Sequence, residues 1–288
     1  MDMIGPMEIP SLQFPAIAKQ FYLECYPTIK KILDVDFDKD VIAHGVIREH
    51  VLLDSKTMKK RKWFIESMRR AEHPPIFIIT PGTTLQENIE LVKRHVATLD
   101  EITILGVDGA NNALIDHGIK VDIMVTDLDG LKTRTLNYIH DEQNSTSIIH
   151  GHGNNIGKIK EFFDDVKIDY RYIFTTQIKP ESGLYNWGGF TDGDRAVFCA
   201  IQLGFKQIFL VSMDVDNQVI GSWSKPRFTN TGKDERSLHH HPIKQVKLNI
   251  ANRILKWLST RLPPRTSLKT LNKHPPFSFL ENVPSLLD

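Results

Sequence analysis

After His73-Pro74-Pro75 the chain changes rhythm, and this change restricts its possible folds more than any other feature. Short β-branched and aliphatic runs then alternate with helix-length segments. The runs are Ile76 to Thr80, Ile102 to Val107, Ile123 to Thr126, Thr146 to His150, Arg171 to Thr176 and Gln207 to Ser212. They lack polar alternation, as strands buried on both faces do. Amphipathic patterns fill most of the gaps: Leu85 to His95, Asn111 to His117, Ile156 to Phe163 and Arg195 to Leu203. This βα alternation predicts an α/β fold with a doubly wound, mostly parallel sheet. Thr84, with Glu87 three residues on, predicts a capping box at the first crossover helix.

The flanks read differently. Residues 1–72 predict a small helical unit, with helices over Ile17 to Leu33, split or kinked at Pro27, and over Asp40 to Leu53. In Lys56 to Arg70, the run Lys59-Lys60-Arg61-Lys62 reads as a solvated face, and Trp63, Phe64 and Met68 as an apolar side. Residues 73–260 form the expected catalytic unit, ending in a basic helix over Ile243 to Leu258. Residues 261–288, with five prolines, read as an extended tail wrapping the body or a second copy, so a homodimer is expected.

A formal net charge of +1 gives no reason to expect nucleic acid as a partner. Cys25 and Cys199 belong to no CxxC pair and read as free thiols in a reducing compartment. No apolar run reaches membrane-spanning length, and Met1 to Phe14 lacks a signal-peptide pattern, so a cytoplasmic protein without membrane partners is expected.

In an open parallel sheet, ligands bind beyond the carboxyl ends of the strands. After the runs come Pro81-Gly82-Thr83-Thr84, Asp108-Gly109-Ala110-Asn111-Asn112, Asp127-Leu128-Asp129-Gly130, Gly151-His152-Gly153-Asn154-Asn155, a loop ending Gly188-Gly189-Phe190-Thr191-Asp192-Gly193-Asp194-Arg195, and Met213-Asp214. Small residues, carboxylates and amides thus collect on one edge. Asp127 and Asp129, two apart on an extended backbone, point the same way and can share a hard cation such as Mg²⁺, with Asp108 ending the neighbouring strand. An isolated D-x-D more often caps a turn; the third acid favours the metal. Gly82, Gly109 and Gly153 allow close backbone approach to an anion but, without a GxxxxGK[ST] string, are also ordinary βα turns. His152 reads as a ligand or phosphate contact. His150 reads as either that or a satisfied core residue. Asp192 and Asp194 read equally well as first-turn acids or as a grip on a ring or phosphate. His239-His240-His241 reads as an exposed loop.

Together, Pro81-Gly82-Thr83-Thr84-Leu85, Val107-Asp108-Gly109-Ala110-Asn111, Thr126-Asp127-Leu128-Asp129, His150-Gly151-His152-Gly153-Asn154-Asn155 and Gly189-Phe190-Thr191-Asp192-Gly193-Asp194-Arg195 resemble the archaeal 6-hydroxymethyl-7,8-dihydropterin pyrophosphokinases, the MptE-like family, which is related to the thiamin pyrophosphokinase catalytic domain. The resemblance covers roughly Ile76 to Leu258. Two departures stand out: an acid is expected where Asn154 or Asn155 stands, and a Gly-Pro-Ser order where the chain has Pro-Gly-Thr-Thr.

The resemblance implies that ATP gives its β,γ-diphosphate to the hydroxymethyl of a dihydropterin, with AMP leaving. It implies Mg²⁺ on Asp108, Asp127 and Asp129, with an Asp or His152 accepting the hydroxyl proton. Gly82, Thr83, Thr84, Gly109, Ala110, Asn111, His150, Asn154, Asn155, Thr191, Asp192 and Asp194 would hold the two substrates. Lys225, Arg227 or Lys233 would close over the phosphates. Three other readings compete. A thiamin diphosphokinase usually carries a β-rich C-terminal domain, unlike this chain. D-x-D also serves glycosyltransferases that use nucleotide-sugars, and a non-catalytic nucleotide-binding protein could use the same acids as caps.

Overall fold

The protein is described by a computed structural model covering residues 12–99, 101–215, 219–225, 241–274, 276–283 and 286. Arg227, Lys233, His239 and His240 lie outside the described residues.

Seven parallel strands form one sheet: β1 (Ile76–Ile79), β2 (Thr103–Val107), β3 (Ile123–Thr126), β4 (Thr146–Gly151), β5 (Tyr172–Thr176), β6 (Gln207–Val211) and β7 (Ser267–Thr270), in the order β5-β4-β3-β2-β1-β6-β7. The period-2 geometry of a strand explains why the runs are apolar throughout. Ile76 and Ile78 enter one core with Leu105, Val107, Ile208 and Leu210, whereas Phe77 and Ile79 enter a second core with Ile104, Phe209 and Val211. Both faces are therefore covered, as double winding requires. Each fully buried Ile contributes about 1.5–3 kcal/mol.

The helices follow the sequence closely. They are α1 (Ala16–Glu24), α2 (Tyr26–Leu33), α3 (Phe37–Leu52), α4 (Ser55–Arg70), α5 (Leu85–Thr98), α6 (Ala110–Asp116), α7 (Thr133–Asn137), α8 (Ile156–Asp165), α9 (Asp192–Leu203) and α10 (Pro242–Ser259). The break between α1 and α2 falls at Cys25, with Pro27 in the first turn of α2, where its missing N–H costs nothing. No described helix is long and apolar enough to cross a membrane.

Four features depart from the sequence reading. The proline-rich tail supplies β7, which pairs with β6 in parallel register from Gln207 opposite Ser267 to Leu210 opposite Thr270. Arg61 is not on a solvated face: it is 1% exposed and donates to the carbonyls of Tyr172, at the start of the edge strand β5, and of Asp169 in the loop before it. Trp63 is 70% exposed, and Ile65 takes the core position instead. The capping box predicted at Thr84 does not form, because the Thr84 hydroxyl donates to Asp214. A capping box forms instead at α9, between Thr191 and Asp194.

From β1 the chain winds outward to β5, then returns to place β6 on the other side of β1. The strand order therefore reverses between β1 and β6, and a crevice opens beyond their carboxyl ends. Thr80 donates to the Ser212 carbonyl across its floor at 2.7 Å. Asn272, just past β7, accepts from Ser212 N–H at 2.8 Å and from the Asn88 side chain at 2.9 Å, so the tail fixes the crevice from behind.

Candidate active site

A cavity of about 560 Å³ occupies the crevice. On its β2–β3 side the backbone turns sharply. Asp108 adopts φ 46° and Leu128 φ 69°, left-handed values that are strained for non-glycine residues. The Asp108 carboxylate secures the turn by accepting from Thr126 Oγ1 at 3.0 Å and Gly130 N at 3.1 Å. Gly130 must be glycine here, since a Cβ would collide with that carboxylate. Asp127 Oδ1 accepts from Asp129 N at 3.0 Å.

This turn revises the geometry expected of the D-x-D pair. The strand ends at Thr126, so Asp127 and Asp129 do not share an extended backbone. The acids that do converge are Asp108, Asp127 and Asp192, each offering an oxygen within 4.8 Å of the others. Asp192 comes from the opposite wall, in the first turn of α9.

Lys225 sits among these carboxylates. Its ammonium donates to Asp127, lies 3.2 Å from Asp192 and 3.8 Å from Asp108, and is 3.9 Å from Asp129. Burial pulls its pKa down, but Asp192, Asp108 and Asp127 outweigh this and hold it above the usual lysine value. Burial pushes the Asp108 carboxyl up to about 7, even though Lys225 pulls it back. Asp127 also pays for burial, yet Lys225 and His152 hold it well below the usual carboxylate range. Lys244 of α10, on the same cavity, is brought down to about 8 by burial and then by Lys225.

After β4, Asn155 organises the loop. Its side chain donates to the carbonyls of Asp127 and His150, and accepts from His152 N–H at 2.9 Å. His152 Nδ1 accepts from Asn154 N–H at 3.2 Å, and its Nε2 lies 3.4 Å from Asp127. His150 is buried, and that burial holds it well below the usual imidazole range.

The expected site residues divide in two. Gly82, Thr83, Asp108, Asp127, His150, His152, Asn154, Thr191 and Asp192 line the cavity. Thr84, Gly109, Ala110, Asn111, Asp129, Asn155 and Asp194 do not, and several of them hold the walls in place. Thr84 donates to Asp214, Asn111 donates to the Asp108 carbonyl at 2.9 Å, and Asp194 accepts from Phe190 and Thr191. Sequence reasoning missed Asp40, Gln177 and Lys244. Asp40 did carry a signal: it stands three, four and seven residues before the buried Ala43, His44 and Ile47, an acid on an apolar stripe.

Three carboxylates facing one cavity, two of them buried and Asp192 half-buried, suit a hard divalent cation, whose preferred ligands are carboxylates, water and phosphate. The donor set fits such an ion, and the lysines beside it fit the phosphates an ion of this kind accompanies.

Residues 49–219 match the family model described as "6-hydroxymethylpterin diphosphokinase MptE-like". The chain is similar to proteins named 6-hydroxymethyl-7,8-dihydropterin pyrophosphokinase. That of Methanothermobacter thermautotrophicus is 36% identical over 177 residues, 62% of this chain and 70% of the relative. That of Pyrococcus furiosus is 29% identical over 237 residues, covering 81% and 90%. That of Methanocaldococcus jannaschii is also 29% identical over 237 residues, covering 80% and 91%. Among solved structures, the MAf glycosyltransferase from Magnetospirillum magneticum AMB-1 aligns with a TM-score of 0.42 at 15% identity, over 78% of this chain and 38% of that one.

Proposed function

The chain belongs to the MptE-like 6-hydroxymethylpterin diphosphokinase family, and from this premise we propose that it transfers the β,γ-diphosphate of ATP to the hydroxymethyl oxygen of 6-hydroxymethyl-7,8-dihydropterin. In the proposed reaction the hydroxymethyl oxygen bonds to the β-phosphorus, and the bond from that phosphorus to the α,β-bridging oxygen breaks. AMP leaves with that oxygen. The product would enter pterin biosynthesis of the tetrahydromethanopterin or folate type.

The observation that carries this reading is the convergence of Asp108, Asp127 and Asp192 around Lys225, at the strand-order reversal and within a cavity about 560 Å³ in volume. Phosphoryl transfer depends mainly on positioning and charge neutralisation, which is what this constellation supplies. A Mg²⁺ ion on Asp108, Asp127 and Asp192, when bound, would neutralise the β- and γ-phosphates. The flexible four-carbon stem of Lys225 lets its ammonium turn from the carboxylates to a phosphate oxygen, and Lys244 and Lys247 flank the same space. Thr83 and the Gly82 backbone approach the nucleotide from the β1 side.

Both ring nitrogens of His152 are engaged, by Asn154 N–H and Asp127, so we place the hydroxyl proton on Asp192 instead. Asp192 is the least buried of the three acids, its side chain 18% exposed against 3% for Asp108 and 7% for Asp127. The direct test is to incubate the protein with ATP, Mg²⁺ and 6-hydroxymethyl-7,8-dihydropterin. AMP and a pterin diphosphate are expected in equal amounts, and no AMP above a heat-killed control would overturn the reading.

A further inference from the structure

The cavity has a second polar wall, built where α3 meets the ends of β4 and β5. Asp40 on α3 is 2% exposed. Its Oδ1 accepts from Gly153 N–H at 2.8 Å. Its Oδ2 accepts from Gln177 Nε2 at 2.6 Å and from the Tyr26 hydroxyl at 3.2 Å. Gln177, one residue past β5, is thereby held by one end of its amide, and is itself buried.

His150 stands beside it, 2% exposed. Its Nδ1 pairs with Thr175 Oγ1 at 3.1 Å. Its Nε2 is buried without a hydrogen bond of good geometry among the described residues, although the Gln177 side chain lies against it. A buried polar atom left unpaired costs about 1–3 kcal/mol, so such atoms normally meet a partner. Asp40, Gln177 and His150 all line the cavity, and Leu33 at the end of α2 and Val35 in the turn before α3 supply an apolar flank.

The chemistry of this wall differs from that of the opposite end. Lys225, Lys244 and Lys247 gather where phosphates would be neutralised. Here an amide and an imidazole, backed by one carboxylate, offer directional hydrogen bonds beside apolar side chains. That pattern suits a flat, uncharged heterocycle with alternating N–H and C=O groups rather than a phosphate.

We propose that Gln177 and His150 read the amino-oxo edge of the pterin ring, that Asp40 positions Gln177 for this, and that the nucleotide takes the lysine-rich end. The inference rests on the diphosphokinase reading. The geometry places the ring beside the reaction: the His150 and His152 rings are 5.7 Å apart between centroids, and His152 Nε2 is 3.4 Å from Asp127.

The test uses the full chain and two probes, 6-hydroxymethylpterin followed by its fluorescence and a non-hydrolysable ATP analogue with Mg²⁺ followed by calorimetry. Gln177→Leu and His150→Leu should each weaken pterin binding at least tenfold and leave nucleotide binding within about twofold. Asp40→Asn should raise the KM for the dihydropterin and leave kcat within about threefold, as expected of a positioning residue. Should His150→Leu fail to fold, His150→Gln keeps a hydrogen-bonding side chain and should bind pterin between the two extremes. Wild-type pterin affinity in both leucine variants, or equal losses for pterin and nucleotide, overturns the subsite. A wild-type protein that binds pterin at this wall but releases no AMP counts against the diphosphokinase reading alone.

Discussion

The Lys225 ammonium lies 3.2 Å from an Asp192 carboxylate oxygen, and so joins a residue of the 219–225 segment to the first turn of α9 across the mouth of the crevice. It also compensates Asp127 and Asp108, the acids best placed to hold a cation. A cation held on these acids would compete with the lysine for the same oxygens and would free its ammonium for a phosphate.

Replacing Lys225 by Met should lower diphosphate transfer about 10²–10³-fold, the usual loss when one donor to a developing anion is removed. The variant leaves buried carboxylates without their counter-charge, so it should melt earlier than wild type in metal-free buffer. Added Mg²⁺ should raise its melting temperature more than that of wild type. A melting temperature indifferent to Mg²⁺ would refute the competition.

The acids themselves can be separated. If Asp192 rather than Asp129 completes the triad, Asp192→Asn should weaken Mn²⁺ binding, read by electron paramagnetic resonance, at least tenfold. Asp129→Asn should weaken it less. The reverse order would restore the pairing of Asp127 with Asp129 that their spacing suggests.

Much of this was legible in the chain because it depends on local pattern. Six strands announced themselves as apolar runs, since a parallel sheet covered on both faces has no polar alternation to hide them. β7 escaped because Ser267-Leu268-Lys269-Thr270 alternates and sits among prolines. Asp108 and Asp127 were visible because they end strands. Asp192 could not be matched to them from spacing, since the turn at Leu128 and the capping box of α9 decide which oxygens meet. Arg61 illustrates the same limit, since it looks like a surface cation until its carbonyl partners appear, and Lys225, expected with Arg227 or Lys233 over the phosphates, is singled out only by the buried acids around it.

Asp169 offers a pH test of the β5 edge. Burial pushes its carboxyl up, but His140 and the hydrogen bonds from Arg171 at 2.7 and 2.9 Å outweigh this and lower it below the usual range. A carboxyl held lower in the folded than in the unfolded state contributes stability above the unfolded value of about 4 and loses it as pH falls through the folded value. Because the side chain is 36% exposed, solvent screening limits the effect to about 1 kcal/mol. Asp169→Asn should therefore destabilise the protein to urea at about pH 7, with the deficit shrinking below about pH 4. An equal deficit at both ends of that range would mean the ion pair is not its source.

Gly82 tests whether the crevice floor is as tight as it looks. A Cβ there would collide with the Ser212 carbonyl and come within 2.6 Å of Asp214 Oδ2. Neither neighbour gives way easily. The Ser212 carbonyl accepts from Thr80, and Asp214 accepts from Thr83 Oγ1 at 3.0 Å and from Thr84 N at 2.8 Å. Gly82→Ala should thus cost about 1–3 kcal/mol of stability, as overpacking typically does. It should also shift Thr83 away from the nucleotide, so the KM for ATP should rise several-fold while that for the dihydropterin, bound at the far wall, stays near wild type. Equal changes in both constants would mean that the two ends of the cavity are not separate sites.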